Sequence, residues 1–131
     1  MGGTSIEQLT QQVRTFCEER DWDQYHGPKD LAIGVITEAS ELLEHFRFQS
    51  EEQSLALLQD PKQREDIEDE LADVLFFVLR FAQRFDVDLE KALMRKIGRK
   101  SGGYNNLPER QVNRRQDIGG ICWIESFRLS G

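Results

Sequence analysis

Apolar residues recur at helical spacing in four stretches of this chain, and each stretch follows a signal for the start of a helix. Two overlapping capping boxes, Thr4 with Glu7 and Ser5 with Gln8, precede the first stretch and predict a helix to about residue 20. Pro28 suits the first turn of the second helix, which we expect to end near residue 47. The segment DWDQYHGP between these helices breaks the pattern.

A third helix is predicted in the middle of the chain. Asp60, Pro61 and Gln63 supply an N-cap, a proline suited to a first turn and a capping partner. Apolar residues then continue at helical spacing to about residue 85. Residues 49–59, between the second and third helices, are mostly polar and suggest a connector that contains a short helix.

The last part of the chain contains a fourth predicted helix, a polar linker and an apolar segment. Asp86 or Asp88 is expected to cap a fourth helix, which should stop before the pair Gly102-Gly103. A polar linker follows, and then the apolar segment IGGICWIESFRL. This segment suggests one strand, an extended arm laid across a helical surface, or a poorly ordered end.

Four acidic residues interrupt the apolar faces of the predicted helices. Glu38 and Glu41 lie on the second helix, and Glu70 and Asp73 lie on the third. Residues three apart on a helix point to nearly the same side, so two such helices packed together would bring the four carboxylates to one place. Burying unpaired charges is costly, and the pattern therefore predicts a bound cation.

The type of ligand indicates which cation. Carboxylate oxygens favour hard cations, so we expect Mg²⁺, with Mn²⁺ as an alternative, and a substrate phosphate to complete the coordination. Di-iron bundles typically carry Glu-x-x-His, whereas His45 follows Glu41 by four residues, which disfavours oxygen activation. We expect the four carboxylates to be both metal ligands and catalytic residues in the hydrolysis of a nucleotide phosphoanhydride.

Length and composition fit one soluble domain. The chain has 131 residues, of which 38% are hydrophobic and 31% charged. We divide it into a helical domain over residues 1–104 and a linker with a C-terminal extension over residues 105–131. No apolar stretch approaches the length of a membrane span, and Cys17 and Cys122 show no pairing or zinc-binding pattern. We expect a cytoplasmic protein that does not bind membranes.

The net charge of −7 is unevenly distributed. Residues 95–131 hold eight Lys or Arg against three acids, while residues 1–94 hold nine against twenty-one. An acidic body argues against nucleic-acid binding. The basic segment would suit a metal-bound polyphosphate, although an ordinary charged helix end explains it equally well.

Three segments of the chain together resemble a known family. ERDWDQYHGPKDLAIGVITEASELLEHF, EDELADVLFFV and VDLEKALMRK are similar to the MazG-like all-α nucleoside triphosphate pyrophosphatases, most closely to their dCTP pyrophosphatase branch. The resemblance covers roughly residues 5–104. It implies a four-helix-bundle-type fold assembled as a homodimer or as a tetramer of two dimers. It also implies cleavage of a deoxynucleoside triphosphate between the α and β phosphates, in the role of cleaning the nucleotide pool.

The same resemblance implies roles for residues outside the acidic pairs. Trp22 and His26 would line the base pocket, although such a loop could also be a lid over its own core. Phe48 and Phe77 would lie near the base or sugar, with plain core packing as the competing interpretation. Lys29 would contact phosphate, unless it is a solvated helix charge.

The last part of the resemblance departs from the family pattern. Lys96 matches a lysine expected to contact phosphate, but Lys100 stands where relatives carry Asn, and Gly103-Tyr104-Asn105 replaces Arg-Tyr-Pro. We expect Lys100 and Tyr104 to contact the substrate in place of the family's own residues. The missing positive charge would come from Arg99 and Lys100, or else from Arg110, Arg114 or Arg115 of the same or another subunit.

Two other interpretations remain open from the residues. The chain could be a noncatalytic helical module that binds a structural cation or a basic partner protein. It could also be a pyrophosphohydrolase acting on phosphoribosyl-ATP, which Trp22 and His26 disfavour.

Overall fold

The computed structural model describes residues 3–104, with side chains to residue 99. The described residues contain five α-helices, one single-turn 3-10 helix and no strand, so the all-α prediction is confirmed. The helices are α1 (Ile6–Glu18), α2 (Pro28–Phe46), α3 (Glu51–Leu57), α4 (Pro61–Arg84) and α5 (Leu89–Tyr104), and the 3-10 turn is Asp23–Tyr25.

The predicted starts of α1 and α4 are confirmed by their hydrogen bonds. At α1 the Ser5 hydroxyl accepts from the Gln8 amide at 3.2 Å, while the Gln8 side chain accepts from the Ser5 amide at 2.7 Å. At α4 the Asp60 carboxylate accepts from the amide of Gln63 at 2.9 Å. These side chains satisfy amides that have no partner within the first turn of a helix.

The expected end of the last helix was wrong. Asp88 does cap α5, accepting from the Lys91 amide at 2.9 Å, but the helix continues through Gly102-Gly103 to Tyr104. Glycine costs about 1 kcal/mol relative to alanine within a helix, yet it retains the backbone amide and carbonyl that a helix needs. The predicted linker and extension, residues 105–131, lie outside the described residues.

Helix α4 packs against both α2 and α1. The buried apolar residues of this packing are Cys17, Leu31, Ile67, Leu79 and Ala82. One charged residue, Arg80, is buried among them with no exposed surface. The helices α2 and α4 also approach closely where Gly34 faces the ring of Phe77.

Large apolar side chains remain exposed on α2 and α4. They are Ile33, Ile36, Leu43, Leu71 and Leu75, with exposed fractions between 41% for Leu75 and 66% for Ile36. Ile33, Ile36 and Leu43 follow helical spacing, so they form one stripe on α2. The packing of α1, α2 and α4 within one chain thus leaves part of the apolar surface of these helices uncovered.

The chain divides into two units, residues 1–87 with α1 to α4 and residues 88–131 with α5. Among the described helices, none has both the length and the apolar content required to cross a membrane.

Candidate metal centre

Three of the four predicted carboxylates meet between α2 and α4. Glu38 and Glu41 on α2 and Glu70 on α4 each offer a carboxylate oxygen, and these oxygens lie within 4.8 Å of one another. The spacing of three on α2 turns both of its acids to the same side, and the packing of α2 on α4 brings Glu70 to them.

Asp73 lies outside this group of three. It is exposed on α4, one turn from Glu70 on the same face. Its negative charge still acts on the cluster, since it contributes to raising the pKa of Glu38. Its place as a fourth ligand remains a prediction.

The electrostatics of the cluster favour a cation. The pKa of Glu38 is raised above its ordinary value, first by burial, then by a hydrogen bond with Glu41, and then by the charges of Glu41, Asp73 and Glu70. Hard divalent cations prefer oxygen ligands, and a bound cation would also relieve the repulsion between these carboxylates. The residues therefore fit Mg²⁺ or Mn²⁺.

A histidine borders the cluster. His45 on α2 places Nε2 at 3.6 Å from Oε1 of Glu70, and both side chains are about three-quarters covered, with exposed fractions of 25% and 22%. Sequence reasoning used His45 only to disfavour a di-iron site. The positions of Glu38, Glu41 and His45 on one helical face already indicated that it would lie near the carboxylates.

The loop between α1 and α2 carries Trp22 and His26, and both are half-buried. Their rings meet edge to face, with centroids 5.8 Å apart. Trp22 also contacts Phe16 of α1 at 5.6 Å, and Phe16 contacts Phe76 of α4 at 5.9 Å. The loop thus lies on an aromatic support that α1 and α4 build together.

Arg80 anchors this loop from α4. Its Nε donates to Nδ1 of His26 at 2.9 Å, and its two terminal nitrogens donate to Asp23 and Gln83. Arg84, one turn later, donates to the backbone oxygen of Asp23 at 3.3 Å and reaches that of His26 at 3.5 Å. Two arginines of α4 therefore hold the loop through its side chains and its backbone.

Sequence reasoning missed Arg80. The signal was present, because Arg80 follows Val78 and Leu79 and precedes Phe81 and Ala82 in an otherwise apolar run. A fully buried charge requires partners. The sequence alone does not show that these partners come from a loop 54 positions earlier.

Phe77 packs against α2. A methyl group placed on Gly34 would lie 2.5 Å from Cε1 and 2.8 Å from Cγ of Phe77. The ring also meets Phe76 edge to face, with centroids 5.5 Å apart. These contacts give Phe77 a packing role between the helices, while its expected contact with the base or sugar remains a prediction.

Phe48 lies at the end of α2 with 90% of its surface exposed. Its φ of 64° is in the left-handed region, which a bulky residue rarely adopts. The amide of Gln49 donates to the carbonyl of Phe46 at 3.0 Å, which closes a tight turn around Arg47 and Phe48. Within the described structure, Phe48 is not a core residue.

The residues predicted to contact phosphate lie in different parts of the chain, and their contacts with phosphate remain predictions. Lys29 is exposed in the first turn of α2, about 13 Å along the helix axis from Glu38. Lys96 is half-buried on α5, in the second unit of the chain. The side chains of Lys100 and Tyr104 lie outside the described part of α5.

The chain is similar to one protein family and to several known proteins. A family model described as the MazG-like family matches residues 33–116. The chain is 33% identical to dCTP pyrophosphatase 1 of Rattus norvegicus over 93 residues, which are 71% of this chain and 55% of the rat protein. It is 30% identical to the Mus musculus protein of the same name over 127 residues, 88% of this chain and 75% of the mouse protein.

A solved structure has a similar fold. It is the crystal structure of a pyrophosphatase from Archaeoglobus fulgidus, which superimposes with a TM-score of 0.72 and 30% sequence identity. The superposition covers 79% of this chain and 95% of the archaeal chain.

Proposed function

The chain belongs to the MazG-like family, and from this premise we propose that it is a Mg²⁺-dependent nucleoside triphosphate pyrophosphatase. We propose deoxynucleoside triphosphates as its substrates, with dCTP or modified nucleotides favoured, and the monophosphate and pyrophosphate as its products. The relatives named dCTP pyrophosphatase 1 and the archaeal pyrophosphatase support this proposal. The convergence of Glu38, Glu41 and Glu70 is the observation that carries it.

The carboxylates would hold the metal from two helices. Glu38, Glu41 and Glu70 would be ligands, and Asp73 would complete the set from the next turn of α4. When bound, the metal supplies positive charge to the phosphate oxygens and acidifies a water molecule for attack on phosphorus. The chain itself supplies the geometry, because packed helices hold carboxylates more rigidly than loops do.

The loop with Trp22 and His26 would bind the base. Arg80, which anchors the loop, lies ten residues after Glu70 on α4, or about 15 Å along the helix axis. The loop and the carboxylates are thus separated along α4, as the base and phosphates of a nucleotide are separated. Trp22 offers an indole ring for stacking on the base.

We propose a homodimer, or a tetramer of two dimers, as the assembly. The exposed apolar stripe of Ile33, Ile36 and Leu43 supports it, because a second copy would remove these side chains from water.

The test is product analysis with defined variants. Purified protein is incubated with a panel of natural and modified deoxynucleoside triphosphates and Mg²⁺, and the products are identified by mass. We expect a monophosphate and pyrophosphate from the wild type, and strong loss of turnover in Glu38→Gln and Asp73→Asn. Glu44→Gln is the matched control, because Glu44 is exposed on the same helix outside the cluster.

Three outcomes would contradict the proposal. A folded wild type that released no pyrophosphate from any nucleotide would not be this enzyme. Loss of the assembly in Glu38→Gln, without any turnover in the wild type, would indicate a structural cation instead. Turnover of phosphoribosyl-ATP alone would indicate the other pyrophosphohydrolase class.

A further inference from the structure

We infer that Arg80 is a positioning residue that fixes the tautomer of His26, so that the loop offers its substrate a hydrogen-bond donor at Nε2. The identity of the substrate as a nucleotide rests on the proposed function. The direction of the hydrogen bonds rests on the described residues. Arg80 would not touch the substrate; it would act through His26.

The tautomer follows from the direction of one hydrogen bond. Nε of Arg80 lies 2.9 Å from Nδ1 of His26. A guanidinium group has only donors, so Nδ1 must accept and cannot carry a proton. A neutral imidazole then carries its proton on Nε2.

Arg80 cannot turn away from this bond without leaving other partners. Its side chain has no exposed surface, and its remaining nitrogens donate to Asp23 and Gln83. Asp23 belongs to the same loop as His26, so Arg80 binds the loop at two places. If Arg80 turned away, its buried guanidinium would be left without hydrogen-bond acceptors. Such a loss costs more free energy for a buried guanidinium than for an exposed one, which water can still solvate.

The charges around His26 favour the neutral ring. Arg80 and Arg84 face it from α4, Asp23 from the loop and Asp30 from the first turn of α2. Burial is the largest cause that lowers its pKa, followed by the two arginines, while the two aspartates act in the opposite direction. A neutral ring with Nδ1 occupied has one hydrogen-bonding position left.

Nε2 is that position. It has no hydrogen-bond partner among residues 3–99, and the ring lies beside the indole of Trp22. The loop therefore presents one donor next to one aromatic surface. This combination suits a nucleobase edge that carries an acceptor, such as a carbonyl oxygen or an unprotonated ring nitrogen, and it disfavours an edge that presents only an amino group.

The first measurement is the tautomer of His26 in the wild-type protein. Nitrogen-15 NMR of the imidazole, recorded near neutral pH, distinguishes the two neutral tautomers and the charged ring. We expect the proton on Nε2. A neutral ring with its proton on Nδ1, or a charged ring, would overturn the inference without any variant.

The second measurement uses Arg80→Met, with Arg84→Met as the matched control. Arg84 holds the backbone of the loop but does not touch the ring nitrogens, so its loss should loosen the loop and leave the tautomer unchanged. Arg80→Met should give a mixture of tautomers. It should also raise KM for dCTP about 2- to 12-fold, the value of one hydrogen bond, with a smaller effect on kcat.

The outcomes separate the inference from the proposed function. If Arg80→Met retained the Nε2 proton and the wild-type KM, Arg80 would be a purely structural residue and the inference would be wrong. A wild type that turned over dCTP with the proton on Nδ1 would also contradict only the inference. A wild type without turnover would overturn the proposed function and, with it, the substrate role of Nε2.

Discussion

Gly34 on α2 faces the ring of Phe77 on α4 so closely that no side chain larger than hydrogen fits between them. A methyl group on Gly34 would lie 2.5 Å from Cε1 and 2.8 Å from Cγ of Phe77. Glu38 follows Gly34 by one turn, and Asp73 precedes Phe77 by one turn. The contact therefore sets the separation of the helices next to the carboxylates.

We predict that Gly34→Ala lowers the free energy of unfolding by about 1–3 kcal/mol, because the methyl group must displace the Phe77 ring or the helix. Urea denaturation measures the change. Gly98→Ala is the control: among the described residues beyond its own helical turn, nothing lies within 4 Å of a methyl group placed there, and alanine favours a helix by about 1 kcal/mol. Equal stability of Gly34→Ala and Gly98→Ala would show that α2 and α4 tolerate a wider spacing.

The variant Glu38→Gln should be at least as stable as the wild type without metal, but less stable than the wild type with Mg²⁺ bound. Without metal, the variant should be at least as stable as the wild type, since the raised pKa shows that the charged form of Glu38 is disfavoured. With Mg²⁺ at 100 times its Kd, the wild type should gain about 2.7 kcal/mol, and the variant much less. Thermal unfolding in chelator and in Mg²⁺ measures both, with Glu44→Gln behaving as wild type. Equal stabilisation of Glu38→Gln by Mg²⁺ would exclude Glu38 as a ligand.

Phe48→Gly should separate stability from substrate binding. Glycine adopts a positive φ without strain, which stabilises the folded state, but it loses more chain entropy on folding than phenylalanine does. Because these two effects oppose each other, the free energy of unfolding should change by less than about 1 kcal/mol. Phe48→Ala keeps the strain and also lacks the ring. Both variants should raise KM for the nucleotide if the ring binds the base or sugar. An unchanged KM in both would remove Phe48 from the substrate site.

The pH dependence of stability should carry a contribution from His26. Its pKa is lowered below the ordinary value of 6.5, so the unfolded chain takes up the proton more readily than the folded one. The stability from the neutral ring is complete above pH 6.5 and is lost as the pH falls through the lowered pKa. His26→Gln, which cannot titrate, should therefore lose less stability over this window. Parallel curves for the two proteins would show that His26 has no shifted pKa.

The apolar stripe on α2 should control assembly. Ile36 is 66% exposed, and Ile36→Glu should convert the proposed dimer to monomers, because a charge would be buried at the contact. Light scattering after size exclusion measures the mass. Ile6→Glu, on the exposed first turn of α1, is the control and should leave the mass unchanged. A dimer that persists in Ile36→Glu would place the interface elsewhere.

Much of the secondary structure follows from local signals in the sequence. Ser5 with Gln8 and Asp60 with Gln63 predict helix starts correctly, since a cap involves residues only three apart. The end of α5 was misjudged because glycine weakens a helix without preventing it. The pairing of Glu38 with Glu41 on one face is also local, since it depends only on the helical repeat.

The sequence by itself determined the starts of the helices, the residues that cap them and the acidic pairs that indicate a metal site. Only the tertiary structure decided that Glu70, and not Asp73, joins Glu38 and Glu41, since this depends on how α2 packs on α4. The same holds for Arg80 and His26, which meet across 54 positions. Periodicity describes one helix at a time, whereas contacts between elements depend on packing that no single segment encodes.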